Sequence, residues 1–272
     1  MSHFSRLDDR AVIALSGADA RPLLQGLITG DIERLAPDRP LYAALLTPQG
    51  KILYDFLITE GEGAILLDCV AATADSLAKR LVMYRLRAKV TIERREQLAV
   101  LAAWGGEDVP GIAYKDPRLA ELGTRAILPK TEVPGSAHAA DAYRAHRLDL
   151  GIPEGADFGQ DRMFALDADL EQLNGVDFNK GCYVGQELTA RMKHRGTARK
   201  RLLPIATADG STLPAPDTAV TADGKSIGEV ASVYGPRGFA LIRLDRLEDA
   251  SPATLRADGT LVSLSRPAWL FT

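Results

Sequence analysis

Along the first hundred or so residues short β-rich apolar runs give way to stretches of helical period and back, which predicts short strands alternating with helices. Residues 11–17 form a β-rich run closed by Gly17, and Asp19 opens a stretch carrying Leu23, Leu24 and Leu27 at helical spacing. Residues 41–46 and 52–59 are strand-like, and Thr47-Pro48-Gln49-Gly50-Lys51 between them suits a tight hairpin. Asp55 therefore falls inside a strand among mostly apolar neighbours. Residues 64–70 read as a strand, 73–85 as an amphipathic helix and 89–94 as a strand. Strand patterns return at 97–104 and 125–128, on either side of a Gly- and Pro-punctuated stretch at 105–123. Such mixed ordering favours an α+β fold over a regular parallel βαβ series, with the middle region in a second lobe.

Residues 141–150 are helical in pattern and stop at Gly151-Ile152-Pro153, and a further helix is expected to start near Gln186. From residue 202 short strands alternate with Asp209-Gly210, Asp223-Gly224 and Asp258-Gly259, all turn dipeptides at hairpin-like positions. A C-terminal β-barrel or sandwich is predicted, with a boundary between residues 1–198 and 199–272.

Composition adds exclusions. The 272 residues are 46% hydrophobic and 25% charged, as expected of a packed globular chain. A net charge of −3 and a pI near 5.9 disfavour whole-chain attraction to nucleic acid. Charged residues interrupt every apolar segment before the roughly 20 residues needed to cross a bilayer, so no membrane span is expected. Two cysteines cannot build a disulfide framework, and residues 1–6 carry no apolar stretch; a reducing bacterial cytoplasm is the compartment expected.

Chemistry concentrates at Cys182, in Asn179-Lys180-Gly181-Cys182-Tyr183-Val184-Gly185-Gln186-Glu187. Lys180 and the helix expected after it are suited to stabilising a thiolate, which would make Cys182 a reactive thiol. A small residue fitted into a glycine-rich turn is an equal alternative. Cys69, inside Ile65-Leu66-Leu67-Asp68-Cys69-Val70, reads as a buried strand residue. His3, His138, His146 and His194 lie in no hydrolase signature, the two cysteines lack zinc-motif spacing, and Gly50-Lys51 lacks the rest of a P-loop. The run Arg191, Lys193, His194, Arg195, Arg199, Lys200 and Arg201 suits a polyanion or an acidic partner, or else a solvated face.

The segment from Lys180 to Glu187 resembles the signature of the folate-binding, iron–sulfur-maturation family that comprises bacterial YgfZ and its mitochondrial IBA-type relative. Leu173-Asn174-Gly175-Val176-Asp177-Phe178 before it agrees, as do Arg191, His194-Arg195-Gly196 and Arg199-Lys200-Arg201 after it. The likeness extends through 15–31, 41–58, Tyr84-Arg85-Leu86-Arg87, 147–153 and Ile227-Gly228-Glu229-Val230. It implies the glycine-cleavage T-protein fold: two interleaved α+β lobes around a central folate cavity, then a C-terminal β-barrel. Where aminomethyltransferases of that superfamily carry two adjacent aspartates, this chain has Tyr54-Asp55. Where they hold the pterin with the acid of an Arg-Leu-Glu-Ala-Gly stretch, it has Arg147-Leu148-Asp149-Leu150-Gly151.

The resemblance implies a tetrahydrofolate-binding factor for maturation or repair of iron–sulfur proteins, tRNA-modifying clients among them. Cys182 would act as a redox thiol or as a ligand of a [2Fe-2S] cluster shared with an A-type carrier. Cys182, Lys180 and Asp55 are the expected working residues, with Lys180 lowering the thiol pKa. Asp149, Arg147, Tyr183, Gln186, Glu187 and Arg191 are expected around the cofactor, with Arg191 paired to Glu187 one helical turn away. A folate-dependent one-carbon transferase using Asp55 is the alternative.

Overall fold

The computed structural model describes residues 3–106, 109–135, 140–196, 199–248 and 251–270. His138 lies outside them. The chain runs through β1 (His3–Arg6), β2 (Arg10–Ser16), α1 (Ala20–Gln25), β3 (Leu41–Leu46), β4 (Ile52–Gly61), β5 (Ala64–Val70), α2 (Ala74–Arg85) and β6 (Thr91–Arg94). Then come β7 (Leu98–Trp104), β8 (Ile112–Lys115), β9 (Thr124–Pro129), α3 (Ala140–Leu150) and α4 (Gln186–Arg195). The last strands are β10 (Lys200–Thr207), β11 (Ala219–Ala222), β12 (Lys225–Tyr234), β13 (Arg237–Arg243), β14 (Arg256–Ala257) and β15 (Thr260–Leu264).

Two antiparallel sheets form the body. One has five strands in the order β3-β4-β5-β2-β6, the other four in the order β1-β7-β9-β8. β1 pairs with β7, His3 opposite Trp104, whereas β2 lies between β5 and β6. The first strand thus belongs to a sheet completed only by residues 98–129, and this interleaves the lobes.

In the five-stranded sheet β2, β3, β4 and β5 are buried on both faces, and the edge strand β6 is largely exposed. Ile13, Leu15, Phe56 and Leu67 pack with Leu77 and Leu81 of α2 in one core layer, while Val12, Ala14, Leu57 and Leu66 join Val100 and Ile127 in another. That is why these strands read as continuous apolar runs and not as alternating ones. Each of these side chains except Ala14 contributes roughly 1.5–3 kcal/mol of transfer free energy. β8, inside the stretch read as punctuation, is a short strand with only Tyr114 buried, so it carries too weak a pattern to be read.

The C-terminal strands close into a barrel in the order β10-β13-β12-β11-β14-β15. Asp223-Gly224 and Asp258-Gly259 turn its hairpins with both residues at positive φ, as two-residue turns require. Asp209-Gly210 does not make the expected hairpin. β10 pairs with β13 and β15, and the Asp209 carboxylate instead accepts from the N–H and hydroxyl of Ser211. The barrel seats on α3: Trp269 Nε1 donates to Leu150 O at 2.9 Å, and Gly151, at φ 70°, lies where a Cβ would come within 2.8 Å of Pro204 and 2.6 Å of Pro267.

Candidate functional site

Cys182 lies on the loop that ends the irregular stretch between α3 and α4, and that loop is tied down on both sides of the thiol. Upstream, Thr29 Oγ1 donates to Gly175 O at 2.5 Å and Asp177 N–H to Thr29 O at 2.9 Å. Lys180 reaches inward, its ammonium donating to Ile28 O and Gly30 O, both at 2.7 Å, and lying over the Tyr183 ring. Downstream, Tyr183 is buried and Val184 packs against the core layer that α2 covers. Gly185 takes φ 83°, and a Cβ there would come within 2.5 Å of Thr47 O, so glycine lets α4 sit directly on the β3–β4 hairpin. Between these anchors Gly181 faces open space and Cys182 is an exposed free cysteine.

In this geometry the Lys180 ammonium is engaged by the backbone. Its charge is held by two carbonyls beneath the loop, where burial pulls its pKa down to about 8 against the opposing pull of Asp31 and Asp177. It braces the loop from below. Burial likewise pushes the Tyr183 phenol up to about 12. Arg191 Nη2 does pair with Glu187, at 2.6 Å, on the exposed side of α4. Gln186 N–H donates to Tyr183 O and starts the helix.

A second constellation fills the centre, where the two sheets, α3 and the barrel meet. Arg10 Nε donates to Asp68 Oδ1 at 2.6 Å and Arg125 Nη1 to Asp68 Oδ2 at 3.1 Å. Arg118 holds Asp116 and Glu154, each at 2.7 Å, and Arg125 Nη2 adds a bond to Glu154 at 3.3 Å. Arg147 Nη1 donates to Asp157 Oδ2 at 2.6 Å, and the Tyr234 hydroxyl of the barrel to Asp157 Oδ1 at 3.0 Å. Burial would raise the Glu154 pKa, but Arg118, Arg147 and Arg125 together hold it well below the carboxylate range. Sequence reading singled out only Arg147 here. The signal available was a charged residue inside an apolar strand run, as Asp68 and Arg125 are.

Asp55 stands at the edge of this network. Tyr42 donates to Oδ2 at 3.2 Å and Gly155 N–H to Oδ1 at 3.1 Å. Burial raises its carboxyl above the ordinary range, against the pull of Arg10. Beside the network opens a cavity of about 440 Å³ bordered by Arg10, Tyr143, Arg144, Arg147, Glu154 and Tyr234. A smaller one of about 160 Å³ touches Asp55 and Cys69. Burial drives the Cys69 thiol up to about 12, which leaves it inert.

The larger cavity has the volume of a ligand pocket. Its side chains, however, do not fit the pterin mode expected from the sequence. Asp149 is exposed and pairs with Arg237 of the barrel at 2.8 Å, because its position on α3 faces away from the centre. The acids that do face inward, Glu154 and Asp157, are taken up by arginines and Tyr234 and present no free carboxylate to a pterin edge. Tyr183, Gln186, Glu187 and Arg191 are not among the cavity's lining residues either, since the loop that carries them docks on the β3–β4 hairpin. Of the six expected around the cofactor, only Arg147 borders the cavity.

Comparison with known proteins assigns the chain. It is 35% identical to the mitochondrial iron–sulfur cluster assembly factor IBA57 of Mus musculus, over 89% of this chain and 78% of the relative, and 35% identical to that of Homo sapiens, over 97% and 84%. The chain belongs to the IBA57 family. Residues 199–272 match the family model described as the CAF17 C-terminal beta-barrel domain. The fold is that of the glycine cleavage system aminomethyltransferase T from Bartonella henselae, with a TM-score of 0.76 over 98% of this chain and 86% of that one, at 17% identity.

These relatives narrow one expectation and correct another. The resemblance read as spanning YgfZ and IBA-type proteins narrows to IBA57. The expected bacterial cytoplasm conflicts with relatives that are named as mitochondrial. Two cysteines and the interrupted apolar segments do not distinguish one reducing compartment from another. Among the described residues, no helix is long and apolar enough to cross a membrane.

Proposed function

We propose that the chain is an iron–sulfur cluster assembly factor that acts through the thiol of Cys182, with the cluster as cargo shared with a partner. The observation that carries this reading is an exposed cysteine on a loop fixed by Lys180 on one side and by Gly185 and α4 on the other, in a chain of the IBA57 family. A thiolate is the ligand that soft iron centres prefer. Among the described residues no group of three or more His, Cys, Asp and Glu side chains gathers to hold a metal, so one thiol here needs the remaining ligands from outside. An A-type carrier with its own cysteines supplies that chemistry, and iron–sulfur client enzymes then receive the cluster. The loop's bracing supports this role, because a ligand held in place loses little conformational freedom when the shared cluster forms.

Glu154 and Asp157, paired with arginines and Tyr234, offer no free carboxylate to the pterin of a tetrahydrofolate. The one-carbon transferase alternative asks Asp55 to move a proton, yet its two oxygens already accept from Tyr42 and Gly155.

Complementation tests the proposal. In cells lacking the gene, iron–sulfur enzyme activity is expected to return with wild-type protein and to stay low with Cys182→Ala at equal protein level. Full rescue by Cys182→Ala would remove the thiol from the mechanism.

A further inference from the structure

Large apolar side chains are buried almost everywhere in this chain, with a local exception. Only four are classed as exposed among the described residues, and three of them lie within five positions at the end of α2: Val82 at 43%, Met83 at 73% and Leu86 at 86%. Leu86 also takes φ 46° and ψ −108°. Among the described residues the other non-glycine positions at positive φ are Asp, Asn and one Glu, all polar, and Leu86 is the apolar one. The chain therefore holds a leucine in an unfavourable backbone conformation and directs it to solvent, two costs that folding alone does not require.

The knob is not a loose end. Arg85 Nη1 donates to Val90 O at 3.2 Å, Ala88 N–H to Arg85 O at 2.8 Å, and Lys89 N–H to Asp19 Oδ2 at 2.7 Å, so the turn that carries Leu86 is braced. Around it stand Lys79, Arg80, Arg87 and Lys89, none of which forms an ion pair with a described residue. Of the neighbouring acids, Asp75 pairs with Arg94 and Glu93 with Arg95, while Asp19 accepts the Lys89 N–H at the turn itself. An apolar tip inside a cationic rim is complementary to an apolar cleft with an acidic rim.

We propose that the end of α2 is a docking knob for a protein partner whose surface presents an apolar cleft edged by carboxylates. Met83 and Leu86 enter the cleft and the surrounding lysines and arginines steer the approach. Leu81 of α2 and Val184, next but one to Cys182, belong to one core layer, so the knob and the thiol loop rest on the same support. Taking the partner to be the cluster carrier rests on the proposed function above.

The test is the affinity of the full-length chain for a purified, cluster-loaded A-type carrier, measured by calorimetry. Met83→Asp and Leu86→Asp are each expected to weaken binding at least about tenfold, as central interface anchors do. Lys79→Glu with Arg87→Glu is expected to slow association and flatten its salt dependence. Leu86→Gly separates docking from folding: it relieves the backbone, so the melting temperature holds or rises while affinity falls. Unchanged affinity in all three knob variants overturns the docking surface, yet leaves the role of Cys182 standing if Cys182→Ala still fails to rescue. No binding by the wild type overturns the docking proposal whatever complementation shows. Knob-dependent binding to anionic phospholipid vesicles, or knob-dependent dimerisation in sedimentation, with carrier affinity unmoved, also overturns it.

Discussion

At the residue scale, the environment of a side chain outweighs its neighbours in sequence. Lys180 precedes Cys182 by two positions, yet its charge is held under the loop by Ile28 and Gly30. Lys180→Met is therefore expected to loosen the loop, read as faster proteolysis between α3 and α4, and not simply to deactivate the thiol. Asp149 makes a surface pair with Arg237, which is worth about 0–1 kcal/mol. Asp149→Ala should shift stability by no more than that and leave any affinity for tetrahydrofolate unchanged in anaerobic calorimetry; a large loss would return Asp149 to a binding role. Asp167 offers a pH readout. Burial raises its pKa from 3.8 to about 6, against Lys200 and Arg201. The folded state then holds the proton more tightly than the unfolded one, so this group's contribution is greatest below about pH 4 and is lost as pH rises through 6. Asp167→Asn is expected to be more stable than wild type at pH 7, by on the order of 1–2 kcal/mol after allowance for solvent screening, with the difference vanishing near pH 4 in denaturant titrations.

At the element scale, α4 and the thiol loop depend on one backbone position. Gly185 stands at φ 83° with Thr47 O in the space a Cβ would take. Gly185→Ala is expected to cost more than about 1 kcal/mol and to change the maleimide labelling rate of Cys182, because the loop must lift from the β3–β4 hairpin. An unchanged rate would mean that the hairpin does not position the thiol. The central arginines obey different energetics. Glu154 lies among Arg118, Arg125 and Arg147, and Glu154→Gln leaves buried cations short of a counter-charge. A loss of roughly 3–5 kcal/mol in chemical denaturation is expected, the range for breaking a buried ion pair by removing one partner.

At the scale of the whole molecule, the barrel and the body share bonds across the centre. Tyr234 on β12 donates to Asp157, and Trp269 to Leu150. Tyr234→Phe removes a hydrogen bond to a buried charged group and is expected to cost about 1.5–3 kcal/mol, read as an earlier unfolding midpoint for the entire chain. Much of this architecture was legible along the chain. Apolar period gave most strands and the helices α2 and α3, because burial of strand and helix faces follows local spacing. Asp-Gly turns marked two barrel hairpins, since positive φ is a local demand. The signature around Cys182 pointed to the family. What stayed hidden was pairing at a distance. β1 joins β7 and not β2, and Asp209-Gly210 bounds a strand that finds its partners far along the chain. Which way Asp149 faces depends on how α3 is rotated in its packing, and that left it outside, while Glu154, four residues beyond the helix, is carried into the centre by the turn that follows. Sequence by itself determined most of the strands, helices and turns, because those choices are largely settled by neighbouring residues, and only short segments such as β1 and β8 escaped it. Tertiary structure alone decided which charges meet in the centre and where Lys180 points, because Arg10 and Arg125 meet Asp68 across more than fifty positions and Lys180 meets Ile28 and Gly30 across about 150, even though Arg118 finds Asp116 nearby.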